Sequence, residues 1–245
     1  MKKIVALDFD GVICNSLNEC LIVSYFAFNE NLNLSYDISK IRLSHQKQFN
    51  KYRYLVGPAH QFYYLWDMIL SDEENIIESF NQLNYNESIE KKFAKNFYTI
   101  RKKMINKNFD EWLLLNPFYS DVLLFIKENF DFNKFFIVTS KDLFSVVKLL
   151  EYNRIKLDKD HIFSRELSFS KVKLFEILKS NFNIMFEDII FIDDKISHLL
   201  EVQLLGIDCY LSTWGYIGHD SIKIANENKI SPLHISDLNT TYLSC

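Results

Sequence analysis

The chain has 245 residues, of which 48% are hydrophobic and 24% charged, with only 5 glycines and 3 prolines. That is enough length and apolar content for one large domain, or for a core domain carrying a smaller insert, and it excludes a chain dominated by disordered or low-complexity linkers. The formal net charge of -4 argues against a sequence-independent grip on a nucleic-acid backbone, so a small molecule is the expected partner. Cys14, Cys20, Cys209 and Cys245 form no C-x-x-C pair and no regular framework, which predicts free thiols in a reducing compartment. Met1-Lys2-Lys3 leads into an apolar run that Asp8 cuts short, unlike a signal peptide, and no stretch approaches the roughly 18 apolar residues of a membrane span. The expected location is the cytoplasm, with no membrane partner.

In chain order, Ile4 to Leu7 is a short run rich in β-branched residues that ends in Asp8-Phe9-Asp10-Gly11, a buried strand running into a sharp turn. The residues that follow are rich in Asn, Tyr and Phe and contain no convincing strand. A helix is predicted from Pro58 to Leu70, with proline in its first turn. A longer one is predicted where Ile89, Phe93, Phe97, Ile100 and Met104 recur at three- and four-residue spacing. Texture changes again near Asn116-Pro117, where the residue before proline is biased out of the helical region.

From there strands and helices alternate: helix (Tyr119 to Asn129), strand (Phe135 to Val138), helix (Lys141 to Tyr152), strand (His161 to Phe163), helix (Lys171 to Asn181), strand (Ile189 to Ile192), helix (Ile196 to Leu205) and strand (Ile207 to Leu211). Such alternation predicts an α/β core, a Rossmann-like doubly wound parallel sheet with helices on both faces. The expected organisation is therefore a core of residues 1–15 and 116–245 and an inserted all-α cap domain of residues 16–115.

Two carboxylates one residue apart at the end of a buried strand repel each other and lose hydration, so a cation is expected beside them. Magnesium prefers oxygen ligands and is usually held by one or two carboxylates plus water and phosphate oxygens. Asp193 and Asp194, at the end of the apolar strand Ile189 to Ile192, supply a second acidic cluster. Ligands of open α/β sheets bind at that carboxyl edge. Asp8 could attack phosphorus directly, with Asp10 protonating the leaving oxygen and later activating water. Thr139-Ser140, after the strand Phe135 to Val138, and Lys171, at a helix start, could stabilise charge on the phosphoryl oxygens.

The sequence resembles the haloacid dehalogenase superfamily, in its phosphoglycolate-phosphatase-like branch with a helical cap inserted after the first strand. Four motifs carry the resemblance in order: Asp8-Phe9-Asp10-Gly11-Val12, Val138-Thr139-Ser140-Lys141, Lys171, and Ile192-Asp193-Asp194. It implies Asp8 as nucleophile, Asp10 as general acid and base, Thr139 and Lys171 as phosphate ligands, and Mg2+ held by Asp8, the Asp10 carbonyl and Asp194. Asn116-Pro117-Phe118-Tyr119 and Ser212-Thr213-Trp214-Gly215-Tyr216 look like the cap-to-core return and the loop after the sheet in that branch. Retention of Asp10 favours phosphoryl chemistry over carbon-halogen cleavage.

His198 stands where many relatives carry an acid, and Asp193 where many carry glycine. Lys173 is the alternative to Lys171 as the third-motif lysine, with Lys171 favoured by its place at the helix start.

Bland readings compete with these. Asp-x-Asp-Gly is good turn chemistry, Ser140 suits a helix cap ahead of Asp142, and one of Asp193 and Asp194 suits a cap for the helix from Ile196. His198 reads as a helix-face residue, and Cys14 as a buried small hydrophobe. Arg42, Arg53, His60 and Arg101 of the insert could present charge to a substrate, although most helix charges are solvated. No G-x-G-x-x-G, P-loop, H-E-x-x-H or G-x-S-x-G motif occurs. The expectation is a Mg2+-dependent phosphatase forming an aspartyl-phosphate on a small phosphorylated metabolite, as a monomer or homodimer. A phosphomutase and a non-catalytic phosphate-ligand-binding protein are the alternatives.

Overall fold

The computed structural model describes residues 4–30, 33–129, 131 and 134–238; Cys245 lies outside the described residues. The chain divides into two compact units, Met1–Asn15 with Phe118–Cys245, and Ser16–Pro117.

The first unit is built on a six-stranded sheet: β1 (Ile4–Leu7), β2 (Phe135–Val138), β3 (Ile162–Phe163), β4 (Ile189–Asp193), β5 (Asp208–Ser212) and β6 (Ser231–Leu233). All neighbouring strands pair in parallel, in the order β3-β2-β1-β4-β5-β6. Every residue of β2 and β4 is buried, the continuous apolar pattern of a sheet covered on both faces. Between β3 and β4 the chain crosses to the other side of β1, so the order reverses between β1 and β4. Their carboxyl ends therefore flank the crevice in which open α/β sheets bind ligands.

The crossovers are α7 (Ser120–Asn129), α8 (Leu143–Tyr152), α9 (Lys171–Phe182), α10 (Ile196–Gln203) and α11 (Ser221–Glu227). Leu174, Phe175 and Leu178 of α9 and Leu199 and Val202 of α10 pack into one core with Ala6, Phe136, Val138 and Phe191 of the sheet. Two starts matter to the site. Helix α8 begins at Leu143, two residues later than its apolar pattern suggests, because Asp142 caps it by accepting from Ser145 N at 2.9 Å. Thr139, Ser140 and Lys141 are left as a loop at the end of β2. Asp142 thus takes the capping role that Ser140 could have filled. Helix α9 begins at Lys171, and Ser170 caps it by accepting from Lys173 N at 3.3 Å.

The second unit is helical: α1 (Leu17–Phe28), α2 (Leu43–Tyr52), α3 (Phe62–Leu70), α4 (Ile76–Asn81), α5 (Glu87–Lys107) and α6 (Phe109–Leu114). Pro58 does not open α3; a short 3-10 turn, Ala59–Gln61, intervenes. The buried stripe of α5 is Phe93, Phe97, Arg101 and Met104, so it runs through a charge rather than through Ile100. Stacked rings fill the interior, Phe49 on Phe62 at 5.5 Å and Phe62 on Phe97 at 5.7 Å. Arg101 forks onto Glu19 of α1, with Nε and Nη2 donating at 2.6 and 2.8 Å, and Trp112 Nε1 donates to the same carboxylate at 3.3 Å.

Two arginines considered as substrate-facing are therefore internal to the insert. Arg53 donates to the Val56 carbonyl at 3.0 Å beneath the Phe62 ring. Arg42 is exposed, and His60 is half-buried with its pKa lowered by burial against the pull of Glu90. No helix among the described residues is long and apolar enough to cross a membrane.

Candidate active site

Strand β1 delivers Asp8 to the reversal point, where its backbone N-H continues the ladder by donating to the Ile192 carbonyl at 2.9 Å. On the other side of that point, β4 runs through Asp193, followed at once by Asp194. Oxygens of Asp8, Asp193 and Asp194 come within 4.8 Å of one another, and all three residues are buried. Lys171 enters from the first turn of α9. Its Nζ lies 2.8 Å from Asp8 Oδ1 and 3.3 Å from Asp193 Oδ2, and it also donates to the Val138 carbonyl. Lys173 instead projects to the surface and pairs with Glu176 at 2.9 Å.

Burial pushes the Asp8 carboxyl above its ordinary pKa; Lys171 opposes that shift and Asp193 reinforces it. Burial works against ionised Lys171 too, but Asp8 and Asp193 outweigh it and raise its pKa. Asp193 is held well below the usual carboxylate range although burial acts in the opposite sense, because Lys171, His198 and the Lys195 N-H all favour its charged form. His198 Nδ1 lies 3.0 Å from Asp193 Oδ2, so the histidine of α10 braces a site carboxylate. The Lys195 N-H donates to Asp193 Oδ1 at 2.9 Å, a turn bond just ahead of α10; the cap position of that helix is Lys195 itself, with no side-chain cap bond, so neither aspartate fills the capping role open to one of them. Elsewhere in this unit, burial pushes the Cys209 thiol up to about 12. Cys14, Cys20 and Cys209 are buried and in no disulfide.

Two glycines let the backbone close around Asp194. A Cβ on Gly11, whose φ is +84°, would lie 2.0 Å from Asp194 Oδ2. One on Gly215 would lie 2.4 Å from both Asp194 Cβ and the Gly11 carbonyl oxygen, so no side chain fits at either place. The Gly215 loop also gives the Tyr216 N-H, which donates to Asp194 Oδ2 at 2.6 Å, and the Trp214 indole, which donates to the Val12 carbonyl at 3.0 Å. The resemblance marks this segment only as the loop after the sheet; its hydrogen bonds to the site are a finding of the structure.

Asp10 is turned to a different partner. Lys141 Nζ reaches its two carboxylate oxygens at 3.0 and 3.3 Å, and Asp10 does not join the close group of the other three. Lys141 closes the second motif, to which the resemblance attaches a role only for Thr139. Thr139 is buried and its hydroxyl accepts from the Lys141 N-H at 3.2 Å, whereas Ser140 is half-buried in the same loop.

Three clustered, buried carboxylates, two of them on Lys171, form a hard, oxygen-rich donor set, which fits a divalent cation. The other close group of possible ligands, Asp158, Asp160 and His161, is half-buried to exposed, a setting in which acidic groups are common without an ion.

The parallel sheet, its reversal point and the helices around it are a fold shared with solved structures described as phosphatases and haloacid dehalogenase-like hydrolases. A structure described as a predicted phosphatase from Clostridium acetobutylicum matches over 100% of both chains with a TM-score of 0.68 at 16% identity. A haloacid dehalogenase-like hydrolase from Streptococcus pneumoniae matches over 98% of both chains, with a TM-score of 0.66 at 12% identity. A predicted phosphoglycolate phosphatase from Haemophilus somnus covers 98% of this chain and 97% of its own, with a TM-score of 0.63 at 17% identity. At those identities the likeness is one of fold. No family model matches the chain, and no curated protein matches it by sequence.

Proposed function

We propose that the chain is a divalent-metal-dependent phosphatase that hydrolyses a small phosphorylated metabolite through an aspartyl-phosphate on Asp8. The observation that carries this reading is the buried Asp8 carboxylate at the end of β1, within 4.8 Å of Asp193 and Asp194 and held by Lys171 on Oδ1. Fixing one oxygen orients the carboxylate, which favours attack over a freely rotating group.

An Asp8 oxygen forms a bond to phosphorus as the P–O bond to the alcohol breaks, and Asp10 delivers a proton to the departing alkoxide oxygen. Water then attacks the phosphorus of the aspartyl-phosphate and passes a proton to Asp10. The P–O bond to Asp8 breaks, and phosphate leaves. Thr139, Ser140 and Lys171 bind phosphoryl oxygens in this scheme.

The side chains of Asp8, Asp193 and Asp194 and the Asp10 carbonyl would hold Mg2+, which when bound neutralises phosphoryl charge and offsets repulsion among the carboxylates. Named solved structures with this fold are described as phosphatases, which supports hydrolysis over phosphoryl transfer to a second sugar. The small phosphorylated partner and a cytoplasmic location complete the proposal.

The experiment is phosphate release from a panel of phosphorylated metabolites by the wild-type protein and Asp8→Asn, with Mg2+ and with excess chelator. Wild-type release should require Mg2+, and Asp8→Asn should lower it on the order of 10^4-fold or more. Activity surviving Asp8→Asn would refute the assigned nucleophile.

A further inference from the structure

Two lysines that come from different places in the fold divide Asp8, Asp10 and Asp193 between them. Lys171, on α9, serves Asp8 and Asp193. Lys141, in the loop that Asp142 frees by capping α8, serves Asp10. The Lys141 side chain is 0% exposed while that of Asp10 is 18% exposed, so the ammonium holds the carboxylate from behind and leaves it an open edge.

Both ends of this contact are anchored. The Lys141 ammonium lies 6.0 Å from the centre of the Phe9 ring, and that ring is packed edge-on against Phe118 at 5.6 Å. The Lys141 backbone is tied to Thr139 Oγ1 through its N-H and to the Arg165 N-H through its carbonyl. A long, flexible side chain with its stem fixed and its head against two carboxylate oxygens removes rotational freedom from Asp10 at no further entropic cost when substrate arrives. Left alone, an aspartate two residues from Asp8 could swing toward any cation bound by the other carboxylates.

We propose that Lys141 is a positioning residue that holds the Asp10 carboxyl apart from the Asp8, Asp193 and Asp194 group and aims it at the oxygen with which it exchanges a proton. This inference rests on the phosphatase reading. It predicts that Lys141 acts through Asp10 alone, which separates it from a lysine that binds phosphate directly or merely supports the loop.

The test is a double-mutant cycle on Lys141→Met and Asp10→Asn, with Mg2+ and two probes, p-nitrophenyl phosphate and an alkyl phosphate that the wild type hydrolyses. Lys141→Met should lower kcat on the alkyl ester roughly 10^2-fold, the lower end for proton-transfer catalysis. The loss should be several-fold smaller on p-nitrophenyl phosphate, whose leaving group needs little protonation. Lys141→Arg should recover part of the alkyl-ester loss.

Adding Lys141→Met to Asp10→Asn should cost nothing further on either probe. The double variant also keeps the test open if the single one folds poorly, since removing both partners of a buried pair is far milder than stranding one. Equal losses on the two probes, or a further loss in the Asp10→Asn background, would overturn the assignment while leaving the phosphatase reading intact. A wild type that releases phosphate from no ester would sink that reading and this inference with it.

Discussion

Each unit of the molecule buries a group of opposite charges, and the two groups differ in how completely they are balanced. In the helical insert Glu19 takes a two-pronged donation from Arg101, a third bond from the Trp112 indole and a weak one from the Cys20 thiol at 3.8 Å. The guanidinium is covered by the Phe97 and Tyr98 rings at 4.7 and 5.7 Å. One negative charge meets one positive charge, and the donors and acceptors fit, which describes a structural brace. In the core three buried carboxylates cluster, Asp8, Asp193 and Asp194, with Lys171 on the first two, and the Asp8 pKa moves up with burial as its chief cause. Burial and residue type are alike in the two places. Three clustered carboxylates with one lysine on two of them set the second apart as the candidate site for a cation.

The sharpest way to break that comparison is to unbalance the brace. Glu19→Gln leaves the Arg101 guanidinium buried without its counter-charge, and Arg101→Met strands Glu19. Each should destabilise the protein by about 3–5 kcal/mol, whereas Glu19→Gln with Arg101→Met should cost much less than either alone. Urea unfolding followed by tryptophan fluorescence reads this well, because Trp66 and Trp112 are both fully buried in the insert. Single and double variants of equal stability would show that the pair does not act as a unit.

The same removal in the core should go the other way. Asp194→Asn takes one charge from a crowded group, so without divalent ion the melting temperature should hold or rise. Mg2+ at about 100 times its dissociation constant should stabilise the wild type by about 2.7 kcal/mol, and Asp194→Asn should lose most of that gain. A melting temperature indifferent to Mg2+ in the wild type would mean that the excess charge is not answered by this cation.

The two groups also differed in legibility from sequence. Asp8, Asp10, Asp193 and Asp194 stand at the ends of short apolar runs, and strand periodicity places such residues at the carboxyl edge of a sheet. The run Phe135 to Val138 reappears unchanged as β2, while β4 runs one residue beyond Ile192 to take in Asp193. That extra residue explains why Asp193 is wholly buried. Glu19 and Arg101 lie 82 positions apart and Asp10 and Lys141 lie 131 apart, and no local pattern announces a pairing at such separation. From sequence Arg101 reads as a charge that could face a substrate or solvent, because helical spacing predicts a stripe and not what fills each of its positions. Strand β6 is illegible in the sequence for a different reason: it has three residues and carries Pro232, a residue that argues against a central strand but is tolerated at an edge.

The smallest expected effect isolates function from stability most cleanly, because both units hold a helix by the same device. Asn86 caps α5 by accepting from the Ser88 and Ile89 N-H groups at 3.1 and 3.2 Å, and Ser170 caps α9 by accepting from Lys173 N. Replacing either by alanine should cost about 1 kcal/mol, seen as a small fall in the urea midpoint. The first residue of α9, however, is Lys171, whose ammonium must reach Asp8 and Asp193 from a helix turn that Ser170 keeps closed. Fraying that turn moves the lysine, whereas fraying α5 moves only Glu87 and Ser88 at the surface. Ser170→Ala should therefore lower phosphate release several-fold and Asn86→Ala should leave it unchanged, at matched losses of stability. Equal activity in the two variants would mean that contacts within the site, and not the helix start, hold Lys171 in place.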